Sequence, residues 1–104
     1  MKVTMQQAFL AIRSLQKLVQ LHEGKPVPLV SLTGKEMSLS YLEQVFSRLK
    51  KCGLVSAVRG PGGGYIPERE NYSVGEVVRA LNAGGLFDSP AVLAALDNVQ
   101  LTEV

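Results

Sequence analysis

The stretch VRGPGGGY, residues 58–65, constrains the fold of this chain more than any other feature. It places four glycines and one proline directly after Arg59, and neither residue type suits the interior of a helix. The segments on either side, LVSAV and Tyr65-Ile66, are short and rich in residues that favour strands. The sequence therefore predicts two antiparallel strands joined by a glycine-rich loop of about six residues or more.

Three roles are open to this loop: a phosphate cradle, a plain hairpin turn, or a finger that presents Arg59 to a partner. A P-loop requires a lysine and then Ser or Thr after its glycines, and the chain has none there. A dinucleotide loop requires a third glycine and a helix start where Tyr65 and Ile66 stand. A plain turn is the simpler alternative, but a tight hairpin needs only roughly two to four loop residues. The surplus length favours a slender projection.

The remaining segments predict helices on both sides of the hairpin. Apolar residues recur at helical spacing within residues 5–22, and a very short helical segment follows at residues 29–32. Residues 38–53 form the most regular amphipathic segment. After the hairpin, Ser73 begins a capping box, and Ser89-Pro90 opens a last helix. The expected core faces of these two helices are Val74, Val77, Val78 and Leu81, and then Val92, Leu93, Leu96 and Val99.

The helix predicted over residues 38–53 has an apolar stripe and an opposite polar face. Its start is capped either by Ser38 or by Ser40, which forms a capping-box pattern with Glu43, and Gly53 suits its end. A short helix, a turn and this longer helix, followed by a slender hairpin, are typical of a mainly α winged helix-turn-helix fold. In that fold the second helix enters the DNA major groove, and the wing follows the backbone or enters the minor groove.

Residue chemistry on this face and on the wing suits DNA. Gln44 can pair with adenine, hydroxyl groups can bond base edges or phosphates, and cations suit phosphates. Arg59, which has no bulky neighbour, suits a narrow minor groove. Packing of Tyr41 against the first helix is the alternative to a DNA contact. The candidates are Ser38, Ser40, Tyr41, Gln44, Arg48, Lys51 and Arg59.

The charge distribution separates two parts of the chain. The net charge of +2 is too small to indicate a nucleic-acid partner by itself. Residues 45–65, however, hold four basic residues and no acidic one, while residues 86–104 hold three acidic residues and no lysine or arginine. A basic patch and an acidic tail predict two surfaces with different roles, and chance clustering is the alternative.

The 104-residue chain has one cysteine, Cys52, and one histidine, His22. One cysteine allows no internal disulfide and favours a reducing compartment. The apolar run near the start is too short for a signal peptide or a membrane span, so we expect a cytoplasmic protein. Because one His and one Cys on separate elements offer neither a triad nor an acid–base pair, we do not expect an enzyme.

Three stretches resemble the Rrf2 family of winged helix-turn-helix transcription regulators, and especially its iron–sulfur cluster regulators: PVPL, SLSYLEQVFSRLKKCGLVSAVRGPGGGY and SVGEVVRALN. The resemblance is strong from Pro26 to about Asn82. The final LDNVQLTEV also resembles the end of the family's long dimerisation helix. The resemblance implies a DNA-binding domain over residues 1–82, then a shortened linker and dimerisation helix over residues 83–104.

The resemblance also implies a partner and a mode of action. We expect a homodimer that binds double-stranded DNA at a palindromic operator and acts as a repressor. On the matching positions, the resemblance places five residues toward the major groove: Ser38, Ser40, Tyr41, Glu43 and Gln44. It places Arg59 and Gly60 in the minor groove. The Glu43 carboxylate is expected to act partly by excluding other sequences.

The chain departs from the cluster-binding members of that family after the helix that Ser73 begins. Those members carry three cysteines there, whereas the stretch AGGLFDSPAV has none. A cluster needs about four ligands, so we expect no cofactor and no metal, with a cluster shared between subunits as the alternative. The alternative function is a reduced family member that acts through protein contacts, such as pairing with a full-length regulator.

Overall fold

The computed structural model describes residues 3–34 and 37–104, and it confirms the predicted mainly α winged helix-turn-helix fold. The two strands form one antiparallel sheet, which is the wing. In chain order the helices and strands are α1 (Met5–Leu21), α2 (Leu39–Lys51), β1 (Val55–Val58), β2 (Gly64–Pro67), α3 (Val74–Leu81) and α4 (Pro90–Leu96). Single 3₁₀ turns cover Leu29–Leu32, Gly85–Asp88 and Leu101–Glu103.

The core lies where α1, α2 and α3 meet. Most side chains of the apolar stripes predicted for α1, α2 and α3 point inward, but Phe9 of the stripe predicted for α1 is 55% exposed. The most deeply buried of these are Leu15, Leu18, Leu42, Phe46, Leu49, Val77 and Leu81. The predicted capping box of α3 is also present, because Ser73 and Glu76 exchange hydrogen bonds of 3.2 and 2.9 Å.

The two ends of α2 are closed by different devices. Ser38 caps the start, since its hydroxyl accepts a hydrogen bond of 3.1 Å from the Tyr41 amide. The start of α2 is therefore capped by Ser38, and not by the predicted capping box of Ser40 and Glu43. At the other end, Gly53 adopts a positive φ of 77° and donates its amide to Lys50, as in a Schellman motif. This motif directs the chain immediately into β1.

The loop of the wing is shorter than predicted. Strand pairing extends to Val58 and Gly64, which leaves residues 59–63 as the loop rather than six residues or more. Inside it the Gly63 amide donates to the Gly60 carbonyl over 2.9 Å, with Pro61 next and then Gly62 at a φ of 76°. That order is the one a type II turn requires, because its third position needs a positive φ. The loop is thus a defined turn.

Tyr65 fixes the wing to the helical core. Its amide and carbonyl exchange hydrogen bonds of 2.8 and 2.9 Å with Val27, which forms an isolated β-bridge beside the wing. Its ring packs at a tilt on Phe46 of α2, with the ring centroids 5.3 Å apart. The wing and α2 therefore share one support.

Tyr72 closes the base of the wing. Its side chain is buried, and its hydroxyl donates to the Leu54 carbonyl over 2.6 Å. The same oxygen accepts the Glu68 amide over 3.1 Å. Leu54 precedes β1 and Glu68 follows β2, so one hydroxyl ties together both ends of the hairpin.

The last part of the chain differs from the prediction. Helix α4 ends at Leu96, so Val99 is not part of its apolar face. The following residues fold back: the Val99 carbonyl accepts the Val74 amide over 2.7 Å, and Leu101 is buried. Gln16 of α1 donates to the Leu101 carbonyl over 2.6 Å. The assignment of residues 83–104 to dimerisation stays a prediction.

Replacement of Tyr72 by Phe is expected to lower the free energy of unfolding by about 1–3 kcal/mol, because buried groups lose hydrogen-bond partners. Urea denaturation of both proteins measures the difference. Tyr41→Phe is the matched control, since the buried Tyr41 hydroxyl has no hydrogen-bond partner among the described residues. Equal losses in the two variants would contradict the role assigned to Tyr72.

Candidate nucleic-acid interface

The outer face of α2 presents most of the predicted DNA contacts. Ser40, Glu43, Gln44 and Lys51 are all exposed. Because Ser40, Gln44 and Lys51 recur at intervals of four and seven residues, they lie along one side of the helix. Ser38 is also exposed at the start of this face, although its hydroxyl oxygen is engaged in capping.

Tyr41 occupies a different position from the one expected of a DNA contact. Its ring is half-buried against the core. Burial raises the pKa of the Tyr41 phenol, and its hydroxyl oxygen is out of contact with solvent. In this conformation the hydroxyl is not presented to a partner. Tyr41 instead packs against the core and supports α2 from its inner side.

Arg48 lies at the border between the core and the exposed face of α2. Its side chain is half-buried, and its Nε donates a hydrogen bond of 3.0 Å to the Ala80 carbonyl in the last turn of α3. A cation at a helix C-terminus is favourable because carbonyl oxygens there lack intrahelical partners. Arg48 thus joins α2 to α3 while it lies next to the exposed face.

Arg59 and Gly60 lie at the tip of the wing, and both are exposed. Gly60 has a φ of 92°, a conformation that residues with a side chain rarely adopt. The tip therefore carries one long cation on a strip of backbone without bulky neighbours. Such a strip has the thinness that entry into a narrow groove requires.

Glu43 links the two predicted contact regions electrostatically. Burial raises the pKa of the Tyr65 phenol, and the charge of Glu43 raises it further. The wing and α2 adjoin where the Tyr65 ring packs on Phe46, with the ring centroids 5.3 Å apart. The helix face and the wing are neighbouring parts of one surface.

An open cleft of about 640 Å³ separates the end of α2 from the end of α3. This α2–α3 cleft continues from the exposed face of α2, and its lining includes Gln44, Ser47, Lys51, Cys52, Arg79 and Ala80. Arg79 was missed by the sequence analysis. A single arginine within the apolar segment VVRAL gives no local signal, because its position beside α2 arises only from tertiary packing.

Arg79 forms an ion pair with Asp97 at the end of α4. Its Nη2 donates to one carboxylate oxygen over 2.8 Å, and its Nε donates to the other over 3.3 Å. The hydrogen bond to Asp97 raises the pKa of Arg79. One carboxylate of the acidic tail, Asp97, therefore lies beside the cleft that Lys51 of the basic patch also lines.

The described residues do not fit a cluster of iron and sulfur. Within residues 3–34 and 37–104, no three His, Cys, Asp or Glu side chains are grouped closely enough to hold a metal ion. Cys52 is exposed at the end of α2, and His22 faces the Lys25 carbonyl through its Nδ1 at 2.9 Å. These two side chains therefore give no ligand set within one chain. No helix in this described part has the length and apolar character needed to cross a membrane.

The family model Rrf2, described as an iron-dependent transcriptional regulator, matches residues 4–103. The chain belongs to the Rrf2 family. It is 54% identical over 63 residues to the HTH-type transcriptional regulator IscR of Escherichia coli (strain K12 / DH10B). That match covers 58% of this chain and 39% of the relative, so the chain matches about two fifths of the length of that IscR. These relatives are transcription regulators rather than enzymes.

Solved structures of Rrf2 regulators share the fold. T. potens IscR is 31% identical with a TM-score of 0.74, over 92% of this chain and 80% of that one. CymR, the global cysteine regulator of B. subtilis, is 27% identical with a TM-score of 0.74, over 92% and 90%. The oxidized form of Staphylococcus aureus CymR is 25% identical with a TM-score of 0.74, over 99% and 94%. The single cysteine of this chain agrees with an Rrf2 member that lacks the cluster cysteines.

Gly64→Ala is expected to detach the wing from the core, because the added methyl group would collide with the Val27 carbonyl and with the Pro28 nitrogen. We expect the free energy of unfolding to fall by about 1–3 kcal/mol. Gly34→Ala is the control, since its methyl group would meet no described atom within 4 Å. Thermal melting followed by circular dichroism measures both variants. A Gly64→Ala protein as stable as Gly34→Ala would refute the close approach.

Proposed function

We propose that this Rrf2-family chain is a repressor that binds a palindromic DNA operator as a homodimer. We also propose that it acts in the cytoplasm without an iron–sulfur cluster. The observation that carries the proposal is the shared support of the α2 face and the wing, because Tyr65 of the wing packs on Phe46 of α2. Two projections fixed to one core suit simultaneous reading of adjacent grooves.

In this proposal the exposed face of α2 reads bases in the major groove. The Gln44 amide is able to donate to and accept from adenine at once, which distinguishes adenine from the other bases. Ser40 supplies a hydroxyl for a base edge or a phosphate. Glu43 selects by exclusion, because an unpaired carboxylate facing phosphates or base acceptors raises the free energy of the wrong complex. Ser38 contributes through capping, which fixes the first turn.

The wing supplies the second contact. Arg59 enters the minor groove, where a narrow groove enhances the negative potential, and Gly60 lets the backbone approach closely. Lys51 and Arg48 bind phosphates beside the major groove. The family pattern predicts that Tyr41 contacts DNA. In this chain its hydroxyl is buried, which supports a role in positioning α2.

A homodimer suits the geometry of DNA readout that we propose. One winged domain covers one half-site, and two copies related by a two-fold axis match a palindrome. Occupation of promoter DNA then blocks transcription without any reaction at the protein. Similarity to the HTH-type transcriptional regulator IscR supports a role in transcription through DNA binding.

Genome-wide selection of DNA fragments by the purified protein tests the proposal directly. We expect enrichment of one palindromic sequence and a complex of two chains per duplex, measured by analytical ultracentrifugation. Enrichment only after a full-length Rrf2 regulator is added would favour the alternative function, pairing with such a regulator. No enrichment under either condition would contradict DNA binding.

Two substitutions separate the wing from the helix. Arg59→Ala is expected to abolish the mobility shift of the selected duplex at moderate salt. Gln44→Ala should instead relax the preference at one base pair, by roughly 1–3 kcal/mol of discrimination. Arg69→Ala is the matched control, since Arg69 lies beyond β2 in an ion pair with Glu76. Equal effects of all three substitutions would contradict the assigned roles.

A further inference from the structure

The α2–α3 cleft is continuous with the proposed DNA-reading face; Arg48 of α2 reaches across it to Ala80, but none of the predicted contacts lies on α3. Gln44 and Lys51 form one side of the cleft, and Arg79 forms the other. The cations are contributed by two separate helices, so their convergence is a property of the fold rather than of a charged run in the sequence. A cleft with this lining suits an anion.

We propose that the α2–α3 cleft receives a backbone phosphate of the bound DNA, that Arg79 is a DNA contact, and that Asp97 limits its strength. This inference rests on the proposed function, because it requires α2 to lie in the major groove. It adds a residue outside the helix-turn-helix and the wing to the contact surface.

Distances along α2 favour a DNA phosphate as the occupant. Lys51 follows Gln44 by seven residues, which corresponds to about 10 Å along a helix axis. The major groove is about 12 Å wide and is bordered by phosphates on both sides. If Gln44 reaches a base edge, the end of α2 therefore lies at the sugar–phosphate backbone. The cleft opens at that end.

The guanidinium of Arg79 has capacity for a second anion. Its hydrogen bonds to Asp97 engage Nε and Nη2, whereas a guanidinium carries five N–H donors. Within the described part of the chain, Asp97 is the only residue that accepts a hydrogen bond from the Arg79 guanidinium. The remaining N–H groups are able to bind a phosphate in the cleft, in the planar geometry that arginine favours.

Asp97 is held close to Arg79 by packing as well as by charge. A side chain at Gly75 of α3 would collide with Asp97, including its amide at 2.7 Å, so the absence of one lets the end of α4 approach. The side chains of Arg79 and Asp97 are 49% and 43% exposed, so solvent and salt screen their attraction. A phosphate is therefore able to share Arg79 without disruption of the core. The nearby carboxylate repels that phosphate and weakens binding.

Salt dependence of DNA affinity tests the inference. The affinity of the protein for the selected duplex is measured by fluorescence anisotropy between 50 and 200 mM salt, the range over which phosphate contacts change affinity strongly. Loss of one phosphate contact reduces the slope of log K against log salt by about 0.9. We expect the slope to fall by about 0.9 for each Arg79→Ala chain that is bound to the DNA. Arg79→Lys should retain the slope because it keeps the cation.

Asp97→Asn supplies an independent measurement in which Arg79 is kept. We expect tighter binding at low salt and a difference that fades as salt rises, because the removed repulsion is screened. Weaker or unchanged binding would contradict the role of Asp97. Arg69→Ala again serves as the matched control, since it removes an arginine from an exposed ion pair outside the cleft.

The possible outcomes separate the inference from the proposed function. Binding by the wild-type protein with an unchanged slope in Arg79→Ala would overturn the inference alone. Absence of binding by the wild-type protein would overturn both. Thermal stabilisation by inorganic phosphate that Arg79→Ala abolishes, together with an unchanged slope on DNA, would assign the cleft to a free anion and overturn the DNA contact. Melting curves of each variant confirm that it is folded.

Discussion

Tyr65 connects the wing to the helical core through both its backbone and its ring. The backbone pairs with Val27, and the ring lies on Phe46, whose own side chain belongs to the apolar stripe of α2. Any movement of the wing relative to α2 would break one of these contacts. The position of Arg59 relative to the α2 face therefore depends on Tyr65, six positions further along the chain, together with Tyr72 at the base of the wing.

The local features of this fold could be predicted because each depends on neighbouring residues. Helical spacing defined α2 and α3, the Ser73 capping box formed, and the glycine run produced the wing. The exact cap of α2 was ambiguous because Ser38 and Ser40 offer the same hydroxyl within one turn. The loop length was overestimated, since Gly64 pairs as a strand residue opposite Val58.

Long-range features could not be predicted in the same way. The burial of the Tyr41 hydroxyl and the anchoring of Arg48 to Ala80 depend on how α2 packs against the rest of the fold. The ion pair of Arg79 with Asp97 joins residues 18 positions apart on different helices. The sequence pattern showed an acidic tail but not the pairing of its Asp97 with Arg79 of α3. These contacts fix the positions of the side chains on α2 and α3 relative to one another.

The central claim is that α2 and the wing contact adjacent grooves of the same DNA. Protection of the selected duplex against dimethyl sulfate tests it directly, since this reagent methylates guanine N7 in the major groove and adenine N3 in the minor groove. In each half-site we predict protected guanines flanked by protected adenines, and Arg59→Ala, which abolishes binding, should restore methylation of both. Protection confined to the major groove in the wild-type complex would contradict the assigned role of the wing.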